Sequence, residues 1–296
     1  MDEATIQKYV EAGEIAKKAQ KYAATLIENG MSLLNIAEET ERKIYELGGK
    51  TAFPVNVSVN KAAAHYIPSA NDSTVLHKGD LIKIDTGVHV NGYVADTAFS
   101  KSIGKNAEND RLIKAAEAAL KAALDVIKPG LTIGQLSEVI QNAINSYDVQ
   151  PIKNLTGHSL DRWQIHAGLT IPNIKTANKQ KLKEGTVLAI EPFTTTGVGI
   201  TIEGALEEAF AYRKDRNVRV GREILAHVKK DHKTLPVAKR WLIKRYGQIK
   251  TELALRELVR SGAFVSYRVL NERSGKKVAQ AEHTVLVLED PIITTK

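Results

Sequence analysis

Apolar residues recur at three- and four-residue spacing through EIAKKAQKYAATLIENG and again through RLIKAAEAALKAALDVIKPG, which predicts two helices with one buried face each. Each stretch runs through a Gly turn into a second amphipathic helix, G-M-S-L-L-N-I-A-E at 30–38 and G-L-T-I-G-Q-L-S-E at 130–138. Ser32 and Thr132 stand at the N-cap positions, where a hydroxyl oxygen accepts from open backbone N–H groups. In the first copy that helix stops at Gly48-Gly49. Two further matches follow in the same order: LHKGDLIKID (76–85) with LKEGTVLAIE (182–191), and VADT (94–97) with QAEHT (280–284). Three ordered matches predict a duplicated helix-helix-strand-hairpin unit, hence an α+β fold. The halves are about 1–105 and 106–296 of a single domain, with the natural site at the seam between them.

The paired acids are spaced unequally. Asp85 and Asp96 are eleven residues apart, whereas Glu191 and Glu282 are ninety-one apart. The surplus falls near 198–270, where REILAHVKKDH, PVAKRWLIKRYG and KTELALRELVRSG carry helical spacing. An inserted helical subdomain is predicted there.

Composition narrows the class. The chain has 296 residues with 43% apolar, and no run of about 18 apolar residues that could span a bilayer. The acidic, amphipathic start is not that of a signal peptide, so a cytoplasmic protein with no membrane partner is expected. Zero cysteines exclude disulfides, thiolate metal sites, Fe–S clusters and a Cys nucleophile. Lys and Arg number 42 against 34 Asp and Glu, a net +8. Residues 201–270 hold 16 Lys and Arg against 8 Asp and Glu, so the insert carries the whole excess. Such a basic helical face fits an anionic partner.

The hairpin LIKIDTGVHVNGYVADTAF has Asn91-Gly92 at its tip, a turn whose two central residues need positive φ. That tip sets Val90 opposite Tyr93, Gly87 opposite Asp96 and Asp85 opposite Ala98. Asp85 and Asp96 then share one face as diagonal neighbours, roughly 7–8 Å apart at the backbone. Gly87 would leave that face open. Two carboxylates so close raise each other's pKa unless a cation sits between them. Glu191 in VLAIEPF and Glu282 in VAQAEHTVLVL are acids in otherwise apolar strands, where an unpaired charge costs on the order of several kcal/mol. Four acids at corresponding strand ends point to a shared divalent metal site. For a nitrogen ligand, His158 in NLTGHSL, His166 in WQIHAG and His65 in AAAHYIP are the candidates. His77, His227 and His232 read as surface residues, His89 lies too near the hairpin tip, and His283 points away from Glu282's face.

The series Asp85, Asp96, His158, Glu191 and Glu282, in KIDTG, GYVADTA, TGHSL, AIEPF and AQAEHT, resembles the five-ligand dinuclear set of the methionine aminopeptidases. FPVNVSVN, AAHYIP, NLTGHS, IHAG and AIEPF, with the insert before the last ligand, resemble the type 2 branch in its compact, archaeal-like form. The resemblance covers essentially the whole chain. It implies the duplicated pita-bread (creatinase/aminopeptidase) fold and two divalent metal ions per subunit, Co, Mn, Fe or Zn, among which the ligands discriminate little. It implies that Asp96 and Glu282 bridge both metals, Asp85 completes one, and His158 and Glu191 the other. The implied activity is that of a metalloexopeptidase, a hydrolase that removes the N-terminal methionine from nascent proteins when the second residue is small. Metal-activated hydroxide would attack the first peptide bond. By the same resemblance Glu191 shuttles the proton, His65 lies near the scissile nitrogen, and His166 donates to the carbonyl oxygen. Phe53, Ile165 and Tyr267 match positions near the methionine pocket, and Ala281 stands where relatives often carry Phe, which would reduce a pocket-supporting contact. The implied partners are nascent polypeptide N-termini and, through the basic insert, the ribosome, with the enzyme a monomer. An Xaa-Pro aminopeptidase or prolidase shares fold and ligands but usually carries a large N-terminal domain. A catalytically dead pita-bread protein that binds RNA or ribosomes is the reading from another class, although such relatives lose ligands that are present here.

Overall fold

The computed structural model describes residues 1–296. Helix α1 (Glu3–Leu26) starts at Asp2, whose carboxylate accepts from Thr5 N–H at 2.7 Å, and α2 (Leu33–Glu46) starts at Ser32. Strands β1 (Lys50–Thr51), β2 (Asn56–Val59), β3 (Ala62–Ala64), β4 (Leu81–Val90) and β5 (Tyr93–Ser102) follow. The next stretch opens in the same way. Helix α3 (Ala107–Val126) is capped by Asn106, and α4 (Ile133–Asn145) by Thr132, with Gln135 reaching back to complete a capping box. Strands β6 (Gln150–Pro151), β7 (Thr156–Leu160), β8 (Thr170–Pro172), β9 (Thr186–Ile190) and β10 (Phe193–Thr195) come next. After β11 (Thr201–Tyr212) lie α5 (Arg222–Asp231), β12 (Val237–Ala238), α6 (Lys239–Tyr246), α7 (Gln248–Arg260) and β13 (Phe264–Glu272). Strands β14 (Val278–Gln280), β15 (His283–Val287) and β16 (Ile292–Ile293) close the chain.

The turn before α2 and the turn before α4 are tied down alike. Gly30 N–H donates to Leu76 O at 2.7 Å, and Gly130 N–H donates to Leu182 O at 2.9 Å. Helices α1 and α3 both bury stripes of small residues, Ala12, Ala16, Ala19 and Ala23 in one, Ala115, Ala116, Ala119 and Ala123 in the other. Small side chains at helical spacing let each helix lie close against its sheet. The two largest apolar clusters correspond: one joins α1, α2 and β4, the other joins α3, α4, β9 and β15.

The hairpin of β4 and β5 has the expected register, with Val90 opposite Tyr93, Gly87 opposite Asp96 and Asp85 opposite Ala98. Asn91 and Gly92 take φ of 52° and 89°, as a two-residue turn of this hand requires. Beside it run β1 and β2 on β4. A second sheet orders β16, β15, β9, β7 and β8, and a small third one orders β14, β10 and β6.

The 198–270 segment differs from the helical expectation. Its helices are framed by two long paired strands, β11 and β13, in a sheet ordered β12, β11, β13, β3. Register shifts around Glu203, Glu207 and Ala209 break the period-two alternation that would have marked β11 in sequence. One face of this sheet packs Phe210, Val237 and Phe264 against α5, α6 and α7, giving the segment its own core. The other face, with Ala209, Ala238 and Tyr267, turns toward Ile67 of the first half.

Candidate metal centre

Five residues converge on one cavity, and the strand ends expected for the four acids hold only for Glu191 and Glu282, since Asp85 and Asp96 lie mid-strand. Asp85 lies on β4, Asp96 on β5, His158 on β7, Glu191 just after β9, and Glu282 between β14 and β15. The backbones beneath them are laced together: Asp96 N–H donates to Thr284 Oγ1 and that hydroxyl donates back to Asp96 O, each at 2.8 Å. Thr97 Oγ1 donates to Glu282 O at 2.8 Å, and Glu282 N–H donates to Ala98 O at 2.9 Å. His158 Nε2 stands 3.4 Å from Glu191 Oε1 and 3.7 Å from Asp96 Oδ2. One ligand atom each from Asp96, His158 and Glu282 lies within 4.8 Å of the others.

Burial makes this cluster electrostatically costly. Asp96, Glu191 and Glu282 all have pKa values raised well above the carboxylate range, by desolvation first and by the neighbouring carboxylates second. Desolvation pushes Asp85 up to about 7. His158 moves the other way, to about 3, because burial and the adjacent His166 disfavour the imidazolium. The cluster therefore holds no compensating cation among its own side chains. Asp85 Oδ1, Asp96 Oδ1 and His158 Nδ1 are buried without any hydrogen-bond partner. Unsatisfied carboxylate oxygens beside a neutral imidazole are the donor set of a divalent metal, and these residues fit one.

The pocket above the cluster brings together every site residue expected from the sequence: Phe53, His65, Asp85, Asp96, His158, Ile165, His166, Glu191, Tyr267 and Glu282 line one cavity. Its apolar end adds Pro54, Ile67, Ala209 and Pro236. His65 occupies the left-handed region at φ 60°, a strained conformation for a side chain of this size, directly after β3. Its ring meets Tyr267 edge-on at 5.9 Å, and burial lowers its pKa to about 4. His166 also lines the pocket, its ring centroid 4.6 Å from that of His158.

Four other expectations need correction. The face at Gly87 is not open: an added Cβ would lie 2.2 Å from Phe53 Cε1, so the glycine makes room for the pocket's aromatic wall. Ala281 does not support the pocket, because alternation points it away from Glu282's face. It joins the core against α3 and lines a groove of about 320 Å³ with Gln20, Leu124 and His283. His227 and His232 are half-buried rather than superficial, their rings 5.9 Å apart, and His232 stacks on Trp241 at 6.1 Å. Arg240, in a basic run that read as surface, is 4% exposed and paired with Glu41. The other three histidines set aside do lie off the site: His77 is exposed, His89 packs against Trp163, and His283 Nδ1 bonds Thr295 Oγ1 at 2.9 Å.

One residue was missed. Gln280 Nε2 donates to Glu191 Oε2 at 3.2 Å and to Glu282 Oε2 at 3.4 Å, orienting both carboxylates. The signal was present, since Gln280 precedes Glu282 by two and so shares its face of the strand.

Residues 7–289 match the model of metallopeptidase family M24. The chain is 47% identical over 290 residues to a methionine aminopeptidase of Thermococcus onnurineus, covering 97% of this chain and 98% of that protein. Among solved structures, a thermophilic Arx1 superposes with a TM-score of 0.88 at 19% identity, over 99% of this chain and 91% of the other. The methionine aminopeptidase of Thermotoga maritima superposes with a TM-score of 0.75 at 21% identity, over 100% and 98%. At those identities the two structures bear on the fold alone.

Proposed function

The chain belongs to metallopeptidase family M24 and, within it, to the methionine aminopeptidases, and we propose that it removes the N-terminal methionine from new polypeptides whose second residue is small. It is a hydrolase that uses divalent metal ions. The observation that carries the reading is the convergence of Asp85, Asp96, His158, Glu191 and Glu282 on the floor of a cavity whose other end is apolar. Such an end suits an unbranched thioether side chain. The complete ligand set also argues against a non-catalytic binding role.

Divalent ions held by those five side chains would lower the pKa of water toward neutrality and polarise a carbonyl. The remaining work falls to the protein's own groups. Glu191, as a carboxylate, would take a proton from the attacking water and return it to the leaving nitrogen. His65, kept neutral by burial, stands for the scissile nitrogen, and exposed His166 for the carbonyl oxygen as its charge grows. Phe53, Ile165 and Tyr267 enclose the methionine side chain. All these groups come from one chain, which supports action as a monomer.

No helix is long and apolar enough to cross a membrane. We place the reaction in the cytoplasm, at nascent chains, and extend the proposal to ribosome contact through the basic insert. Lys244 and Arg245 are exposed there, whereas Arg240 is buried and Lys239 half-buried, so the contact would use the outer turns of α6. We likewise propose that 1–105 and 106–296 are duplicated halves of one catalytic domain, a division supported by the matching caps and turns.

The test is peptide cleavage read by mass spectrometry with added Mn or Co. Methionine should leave Met-Ala and Met-Gly peptides and stay on Met-Lys peptides. A preference for Xaa-Pro peptides would overturn the reading.

A further inference from the structure

Glu41 on α2 is a buried carboxylate outside the metal cluster, 6% exposed, and its partner Arg240 on α6 is 4% exposed. Glu41 Oε1 accepts from Val55 N–H at 3.1 Å and pairs with Arg240 Nη2, while Oε2 accepts from Trp241 Nε1 at 2.9 Å. Arg240 Nη1 donates to Pro68 O at 3.1 Å. A buried ion pair of this kind stabilises a fold no more than a well-packed apolar pair would, because desolvation offsets the attraction. Its value lies in what it holds in register.

The pair ties together two segments that each carry residues lining the cavity. Val55 sits between Pro54 and Asn56, and Pro68 follows Ile67, all three neighbours being wall residues from the first half. Arg240 and Trp241 open α6 directly after β12, whose Ala238 pairs with Ala209 on β11, and Ala209 in turn pairs with Tyr267 on β13. Ala209 and Tyr267 are the facing wall. Trp241, which donates to Glu41 Oε2, packs in the same small cluster as Ile67, Ala209 and Tyr267. Neither Glu41 nor Arg240 lines the cavity itself.

We infer that Glu41 and Arg240 are positioning residues that set the width of this chamber, and with it the selectivity for a methionine side chain, without touching substrate. The inference rests on the aminopeptidase reading. Loss of Glu41 removes the acceptor that fixes the Val55 amide, and loss of Arg240 frees Pro68 O and leaves the Glu41 carboxyl buried without its charge partner.

Full-length, metal-loaded Glu41→Leu, which removes the acceptor, and Arg240→Lys, which keeps the charge should the first fold poorly, provide the test. KM for Met-Gly peptides should rise roughly fivefold or more while kcat stays within about twofold, with the preference for Met over Leu narrowed by a similar factor. Amide hydrogen exchange supplies a readout independent of turnover: Val55 should exchange about tenfold faster in Glu41→Leu, where its acceptor is gone, with the helices far from the pair unchanged. Equal exchange at Val55 in wild type and Glu41→Leu overturns the inference whether or not the protein cleaves peptides. Faster exchange with unchanged KM and selectivity overturns it too, as does a fall in kcat at constant KM, which would assign the pair to the reaction centre. A wild type that releases no methionine refutes the aminopeptidase reading, and Val55 exchange then still decides whether the pair holds the wall.

Discussion

Replacing Gly87 by alanine isolates the contact between the metal-bearing hairpin and the substrate chamber. The new Cβ would fall 2.2, 2.4 and 2.8 Å from Cε1, Cδ1 and Cζ of Phe53. Carbon atoms rest at about 3.5–4.0 Å, so the ring must move by more than about 1 Å. It cannot retreat, because Ala52 N–H donates to Gly87 O at 2.9 Å and Phe53 packs in a cluster with Tyr9, Val94 and Leu160. The open direction is the cavity, where the ring would occupy space that the proposed function assigns to the methionine side chain. Overpacking of this kind costs about 1–3 kcal/mol, a loss of several degrees in Tm for a chain of this size. If about 1.4 kcal/mol of it is expressed as lost binding, KM for a Met-Gly peptide rises about tenfold, with kcat and metal content little changed. Steady-state kinetics and thermal unfolding of the metal-loaded variant read both effects. Gly87→Ala combined with Phe53→Leu should recover much of the KM, since the smaller side chain frees the volume. Unchanged KM and Tm in the single variant, or no recovery in the double one, would refute the proposed packing.

Other outcomes follow from the same geometry. Gln280→Ala should weaken metal binding by roughly 10–100-fold, measured by titration of the stripped protein, because two ligating carboxylates lose their orienting donor. Metal loading at pH 6 should release protons, more than two per chain by calorimetry in buffers of different ionisation enthalpy, since four carboxylates carry raised pKa values and His158 is already neutral. The same shifts fix the sign for the metal-free protein: a raised carboxylate pKa contributes stability fully present below about pH 4 and lost as pH rises through the folded value, about 7 for Asp85, so the benefit of metal to Tm should grow over that window. Charge reversal at Lys244 and Arg245 should abolish salt-sensitive ribosome co-sedimentation, and unchanged sedimentation would leave the basic insert a solvated surface.

The parts of the site that were legible share a physical basis: each depends on spacing along one or two strands. The Asn91-Gly92 tip fixes the hairpin register and so places Asp85 and Asp96 on one face. The Ser32 and Thr132 caps follow from local backbone demand. What escaped depends on contacts between distant segments or on broken periodicity. Arg240 lies 199 residues from Glu41, and a Lys/Arg-rich run gives no hint that one of its members is buried. Strand β11 reads TIEGALEEAFAY, whose register shifts erase the alternation a strand would show. His232 stacks on Trp241 only because α5 and α6 fold against one another. The wall at Gly87 needed the position of Phe53, thirty-four residues earlier, to be seen as filled rather than open.

The central claim is that five side chains from both halves of the chain form one metal centre at the floor of the substrate chamber. Diffraction from Mn-soaked crystals, recorded for anomalous scattering, tests it most directly. Two peaks enclosed by Asp85, Asp96, His158, Glu191 and Glu282 are the expected result. No peak among those side chains at saturating Mn, or metal bound only elsewhere on the protein, would contradict it.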